Sequence, residues 1–373
     1  MNIFLLNYIL MVIASGYYLY RSEYSRSNNT EFILQGRKRF VIVVCLLWIL
    51  ISGLRADTVG SDTLNYMRNF DTHKDLPWST VFTNFYKYYI EGDESQYFEP
   101  GFVLFERLVG IFVKSHEGYK FVVAIIFMGS MGRFVYKNSE VPFLSFLLYD
   151  GLFYNMFSLT GYRQVISVSI GILWAYDFLK ERKPVKFFLL VLLASTIHKS
   201  TLFFGIFYFV SQKKIEIKYV GICAAVIAVM IVARNQIFMF VKGLVGYDQY
   251  GVEGGFTQAN FLFMFSVLTA LCTWRYSNVI EEHPEARVYY NALIMSWFMV
   301  PFAMVSPTSM RLVYDFGFQL MFLLPLVVNS FPDKKERTLI YIVVVLVFAY
   351  FIAVKTPPYM FFWEDEMRFY SLI

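Results

Sequence analysis

Charge is what this chain of 373 residues has least of: Asp, Glu, Lys and Arg make up only 16% of it, against roughly 25% in a soluble domain. Cysteine is scarcer still, with three in all, Cys45, Cys223 and Cys272. Each lies inside an apolar run, far from the others. They read as small buried side chains, and neither a disulfide nor a metal site is expected. A Gly-rich phosphate loop and a G-x-S-x-G elbow are both missing, which leaves no place for a nucleotide-sugar enzyme of the usual soluble kind. No polar, Pro- or Gly-rich linker divides the chain, so a single integral domain over 1–373 is expected. The run Ile3–Tyr20 has neither a basic leader nor a small-residue cleavage site and reads as a retained span. The net charge of +5 is modest and sits in short clusters between apolar runs, which argues against a nucleic-acid partner.

Apolar residues are abundant instead: 57% of the chain is hydrophobic and 20% aromatic. Many fall into runs near the length of about 20 residues that a helix needs to cross a bilayer. Runs at 2–20, 38–54, 119–136, 141–159, 163–179, 217–233, 259–275, 288–306, 311–330 and 338–354 read as spans. Basic clusters orient them, because short loops rich in Lys and Arg stay on the cytoplasmic side. Arg21, Arg26, Arg37, Lys38 and Arg39 follow the first run. Arg133 with Lys137, the cluster Lys180, Arg182, Lys183 and Lys186, and the group Lys334, Lys335 and Arg337 mark further inner loops.

Placing every cluster inside leaves segment 100–114 unable to cross, and its adjacent Glu106 and Arg107 suit an interfacial or re-entrant helix better. Lys213, Lys214 and Lys218 share the side of 180–186. The stretch 187–212 must then enter and leave on one side, or cross twice as two thin spans. As a hairpin it carries a polar tip, Thr196-Ile197-His198-Lys199-Ser200, and implies a cavity. The expected fold is all-α and polytopic, with about ten spanning helices, the hairpin at 187–212, and both termini outside. A large extracytoplasmic loop with interfacial helices, 55–118, is inserted between the second and third full spans.

That loop is acidic (Asp57, Asp62, Asp71, Asp75, Glu91, Asp93, Glu94, Glu99) and crowded with aromatics such as Tyr66, Trp78, Phe82, Tyr86, Tyr97 and Phe98. An exposed loop needs charge and interfacial aromatics, but aromatics beside carboxylates are also the surface that binds sugar rings. On the same side, Arg55 ends a span, Arg163 and Gln164 open another, Arg311 opens a later one, and His198 with Lys199 caps the hairpin. An ionisable group at membrane depth is a functional candidate, although a lone Arg can simply snorkel to the interface. Guanidinium groups match the paired oxygens of a lipid pyrophosphate and would stabilise charge on such a leaving group. A carboxylate or histidine, Asp62, Glu99 or His198, would take the proton of an attacking sugar hydroxyl. The acidic Trp363-Glu364-Asp365-Glu366 reads as a solvated tail, and no metal or cofactor is expected.

Five blocks of the chain resemble the EpsG family, membrane proteins of exopolysaccharide and O-antigen assembly similar to Wzy polymerases. The first is Leu54-Arg55 through Val59-Gly60-Ser61-Asp62-Thr63-Leu64-Asn65-Tyr66, which echoes an R-x(4)-G-x-D-x-x-x-Y pattern, with Ser61 where Thr is frequent. Phe98-Glu99-Pro100-Gly101-Phe102 and Tyr162-Arg163-Gln164-Val165-Ile166 follow. Then come Leu192 through Ser200 and Pro307-Thr308-Ser309-Met310-Arg311-Leu312-Val313-Tyr314, and Pro357 through Phe362 resembles the family's closing segment. The resemblance implies polymerisation of undecaprenyl-pyrophosphate-linked oligosaccharide repeats, without nucleotide sugar, at the outer face of a bacterial inner membrane. It gives weight to Arg55, Asp62, Tyr66, Glu99, Arg163, Gln164, His198 and Arg311. Expected partners are the lipid-linked oligosaccharide, the bilayer and a chain-length regulator. A flippase for the same lipid-linked unit, a non-catalytic assembly subunit and an acyltransferase decorating the polymer are the rival readings.

Overall fold

A computed structural model describes residues 2–20, 30–93, 99–152, 154–245 and 259–364. Arg21, Arg26, Glu94, Tyr97, Phe98, Asp365 and Glu366 lie outside the described residues. Helices carry the fold, and the β pairing among the described residues is one isolated antiparallel bridge between Arg55 and Phe361. The chain forms two compact units. The first comprises Met1–Asn138, Phe153–Leu202 and Val345–Ile373, and the second Ser139–Leu152 and Phe203–Val344.

In the first unit, the helix Ile3–Ser15 begins at Asn2, whose Oδ1 accepts from the amides of Phe4 and Leu5 at 3.0 and 3.1 Å. The Asn2 amide reaches Thr356 Oγ1 at 2.9 Å, and Tyr8 donates to the Val345 carbonyl at 2.7 Å, so the chain's first helix is pinned to its last. Thr30–Leu54 runs along His116–Asn138. Their contact is close at Gly132, where a Cβ would come within 2.6 Å of Cys45 Sγ. Small residues let membrane helices approach in this way. Tyr162–Val168 continues without a break through the π-helical Ser169–Trp174 into Ala175–Lys180, over the segment 163–179 where a span was expected. Lone π segments often mark functional sites.

Among the described residues, proline begins three α-helices, Pro100–Phe112, Pro142–Gly151 and Pro184–Ser195, at the position where its missing N–H has no helical partner to lose. Pro100–Phe112 has 13 residues, a rise of about 20 Å, short of the ~30 Å hydrocarbon core. Glu106 is fully buried in it, with Tyr119 OH 2.9 Å from Oε1 and His73 Nδ1 against Oε2. Arg107 donates to the carbonyls of Leu76 and Lys74 at 2.7 and 3.0 Å and stacks on Trp78. These two charges bind the loop to itself.

His116–Asn138 and Lys334–Val354 are each long and apolar enough to cross a bilayer. Two further pairs reach that length only as bent helices, Ile217–Val232 with Arg234–Gly243 at 85° and Pro307–Gly317 with Leu320–Asn329 at 53°, both in the second unit. The expected run 141–159 is divided between Pro142–Gly151 and Tyr154–Thr160, and the stretch 187–212 is broken at its polar centre, between Pro184–Ser195 and the turn Lys199–Phe203. Within the second unit, Ser145 donates to the Met321 carbonyl at 2.6 Å and Asn291 to those of Ser211 and Lys213 at 3.1 and 2.9 Å.

Candidate functional site

Arg55 and Arg163 are both buried in the first unit, in different company. Arg55 sits in a tight turn. Gly60 adopts φ +100°, a region that L side chains rarely enter, and a Cβ there would lie 2.6 Å from Thr63 Oγ1 and 2.9 Å from the Leu159 carbonyl. The turn brings Val59 O within 3.3 Å of Arg55 Nε and 2.8 Å of Thr63 Oγ1. Arg55 Nη2 donates to Leu159 O at 2.9 Å and to Tyr162 OH, and Nη1 to Ser52 O. The closing segment completes the turn. Ala56 N donates to Met360 O at 2.8 Å, Phe362 N to Leu54 O at 2.9 Å and Tyr359 OH to Ile51 O at 2.8 Å.

Tyr66 is buried beside this turn, stacked on Tyr162 at 5.0 Å with 6° between the planes and edge-on to Phe102 at 5.8 Å. Its ring is core, not an open platform for a sugar. Asp62 precedes the helix Thr63–His73, half-buried, with Ser61 Oγ 3.4 Å from its Oδ1.

Arg163 meets a carboxylate. Its Nη1 donates to Glu99 Oε2 at 2.7 Å. The other oxygen of Glu99 accepts from the backbone amide of Lys199 at 3.1 Å and lies 3.5 Å from His198 Nδ1. Three separate stretches thus converge on one carboxylate: the start of Pro100–Phe112, the start of Tyr162–Val168 and the break after Pro184–Ser195. Gly101 makes the approach possible. Its amide donates to Thr196 O at 2.9 Å, and a Cβ there would be 2.5 Å from that oxygen. Ser167 ties the helix of Arg163 to the same break by donating to Ala194 O at 2.9 Å. Gln164 is buried next to Arg163, and Lys199 holds its ammonium 4.9 Å from the centre of the Tyr88 ring.

Burial pushes the Glu99 carboxyl up, but its contacts with His198, Arg163 and the Lys199 amide outweigh that and hold the group down to about 2. Glu99 is therefore ionised throughout the neutral range and a poor proton acceptor. Glu106, on the same helix, goes the other way: burial raises it despite His73 and Tyr119. Arg311, half-buried on Met310–Gly317, belongs to the second unit. No group of three or more His, Cys, Asp or Glu side chains that could hold a metal ion occurs among the described residues.

Sequence reasoning passed over a second set of ionic contacts in the loop. His116 places Nδ1 2.6 Å from Asp57 and Nε2 2.8 Å from Asp71. The same two carboxylates hold Lys120 at 2.6 Å and Lys74 at 2.5 Å. Asp71 is held below the usual carboxylate range, its slight burial outweighed by Lys74 and His116. The chain has four histidines, and His73, His116, His198 and His283 each lie against a carboxylate. That scarcity was the available signal.

The model of the EpsG family matches residues 38–367. No curated protein and no solved structure matches the chain.

Proposed function

The chain belongs to the EpsG family, and from that membership and the Glu99–Arg163–His198 cluster we propose that it joins lipid-pyrophosphate-linked oligosaccharide repeats into a polysaccharide. The observation that carries this reading is the meeting of Arg163, His198 and the Lys199 amide on one buried carboxylate. In the proposed reaction, a hydroxyl oxygen of the acceptor attacks the anomeric carbon of the donor sugar. The bond from that carbon to the phosphate oxygen breaks, and the pyrophosphate departs on its lipid. Arg163 and Lys199 stabilise the charge that gathers on the departing oxygens.

The hydroxyl proton goes to His198. Glu99 lies 3.5 Å from Nδ1 of that ring and would stabilise the imidazolium that forms when Nε2 takes the proton. Its own depressed basicity makes Glu99 the orienting partner, in preference to the base. Arg55 and Tyr66 are assigned to architecture, because carbonyl oxygens and aromatic rings already occupy them. Asp62 is assigned to the same turn. The acceptor and donor are proposed to meet at the extracytoplasmic face of the bacterial inner membrane.

The test is reconstitution of the purified chain with a defined lipid-linked repeat. Growth of a product ladder, with one lipid pyrophosphate released per linkage, is the expected result. Movement of the intact repeat across vesicles without any change in chain length would replace the reading with a flippase. Transfer of an acyl group alone, or tolerance of alanine at Arg163 and His198, would likewise overturn it.

A further inference from the structure

Away from the Glu99 cluster, the helices Thr30–Leu54 and His116–Asn138 enclose a groove of about 250 Å³. Gly129 forms part of its floor, and a Cβ built there meets nothing within 4 Å. Ile42 and Leu46, 46% and 52% exposed, are walls that the described residues leave open. The groove is apolar along its length and cationic at one end, where Lys38 and Arg133 line it with Tyr136. The two helices run antiparallel, which places the start of one beside the finish of the other. Arg37, Lys38, Arg39, Arg133 and Lys137 therefore gather there, with Asp177 as the carboxylate among them. Arg133 is held by Asp177 and stacked 4.1 Å over the Trp174 ring, so it is fixed in place, whereas Lys38 is exposed.

An apolar trough that ends in surplus positive charge has the chemistry of a phospholipid site: methylenes against Ile42, Leu46 and Gly129, and a negative headgroup against Lys38 and Arg133. A neutral apolar partner would offer nothing to the exposed Lys38. A sugar would find no hydrogen-bonding walls. We infer that the groove binds one anionic phospholipid, with an acyl chain along Gly129 and its phosphate at Lys38 and Arg133. Basic pockets between membrane helices recognise lipid headgroups in this way, each cation near the surface contributing about fivefold in affinity. The site is independent of the polymerase reading.

The experiment uses the full chain in detergent, titrated with phosphatidylglycerol or phosphatidylcholine and read by native mass spectrometry. Wild-type protein should retain one phosphatidylglycerol in preference to phosphatidylcholine. Lys38→Gln should lower that preference about fivefold. Gly129→Leu fills the groove, keeps every charge, and should abolish the retained lipid. Gly129→Ala is too small to fill it and should retain the lipid, which separates loss of the site from damage to the helix. Equal retention of the two lipids by wild type would overturn the inference. So would retention by Gly129→Leu, because the charge would then be holding a loose shell of lipid and not an occupant of the groove.

Discussion

Arg55 and Arg163 are buried guanidinium groups in the same unit, each within a block that resembles the family, yet their surroundings give them opposite roles. Arg55 is answered by neutral oxygens: the carbonyls of Ser52, Val59 and Leu159 and the hydroxyl of Tyr162. Such a set satisfies the donors and leaves a positive charge enclosed, which suits a clasp between the second helix, the loop and the closing segment. Arg163 is answered by Glu99, and that carboxylate also gathers His198 and Lys199. A guanidinium among neutral carbonyls holds a turn. One that shares its carboxylate with a histidine is the guanidinium proposed to act on the substrate. Burial alone does not distinguish the two; the acceptor does.

The sharpest break in this comparison comes from activity. Arg163→Ala should slow chain growth by about 10²–10³-fold, the scale on which a donor to a developing anion acts, as measured by product ladders from correctly inserted protein. Arg55→Ala should instead lower stability by about 3 kcal/mol or more, because it removes charged donors from several buried oxygens. A fall in thermal midpoint, with turnover per folded molecule kept, is the expected signature. Glu99→Gln leaves Arg163 without its counter-charge and should cost about 3–5 kcal/mol.

The Glu99 contribution carries a pH signature. The folded carboxyl titrates at about 2, below its ordinary value near 4.3. Its stabilisation is thus complete above that ordinary value and fades as pH falls toward 2. The gap in thermal midpoint between wild type and Glu99→Gln should stay constant from neutral pH to about 5 and narrow below it. At the turn, Gly60→Ala should cost at least about 1–2 kcal/mol in a denaturation series for the backbone at φ +100° alone, and the contact of its Cβ with the Leu159 carbonyl at 2.9 Å adds to that.

Much of this was legible in the residues. The polar run Thr196–Ser200 marked a break that the helices respect, and Glu106 beside Arg107 marked a helix that ends after 13 residues. What was hidden depends on contacts distant in sequence. The Leu159 carbonyl lies 104 positions from Arg55 and the Met360 carbonyl pairs with Ala56, so the contacts of the motif arginine cannot be read from the motif alone. His116 escaped notice for the same reason, since Asp57 and Asp71 approach it only after the loop folds. The 85° and 53° bends of the second unit follow from local breaks at Ala233 and at Phe318–Gln319, which hydropathy windows smooth over.

The most direct measurement compares Arg163→Ala with Arg55→Ala in vesicles, matched for folded protein and supplied with one defined lipid-linked repeat. Loss of chain growth in the first and its survival in the second is the expected outcome. Normal polymer from Arg163→Ala would contradict the assignment of the site.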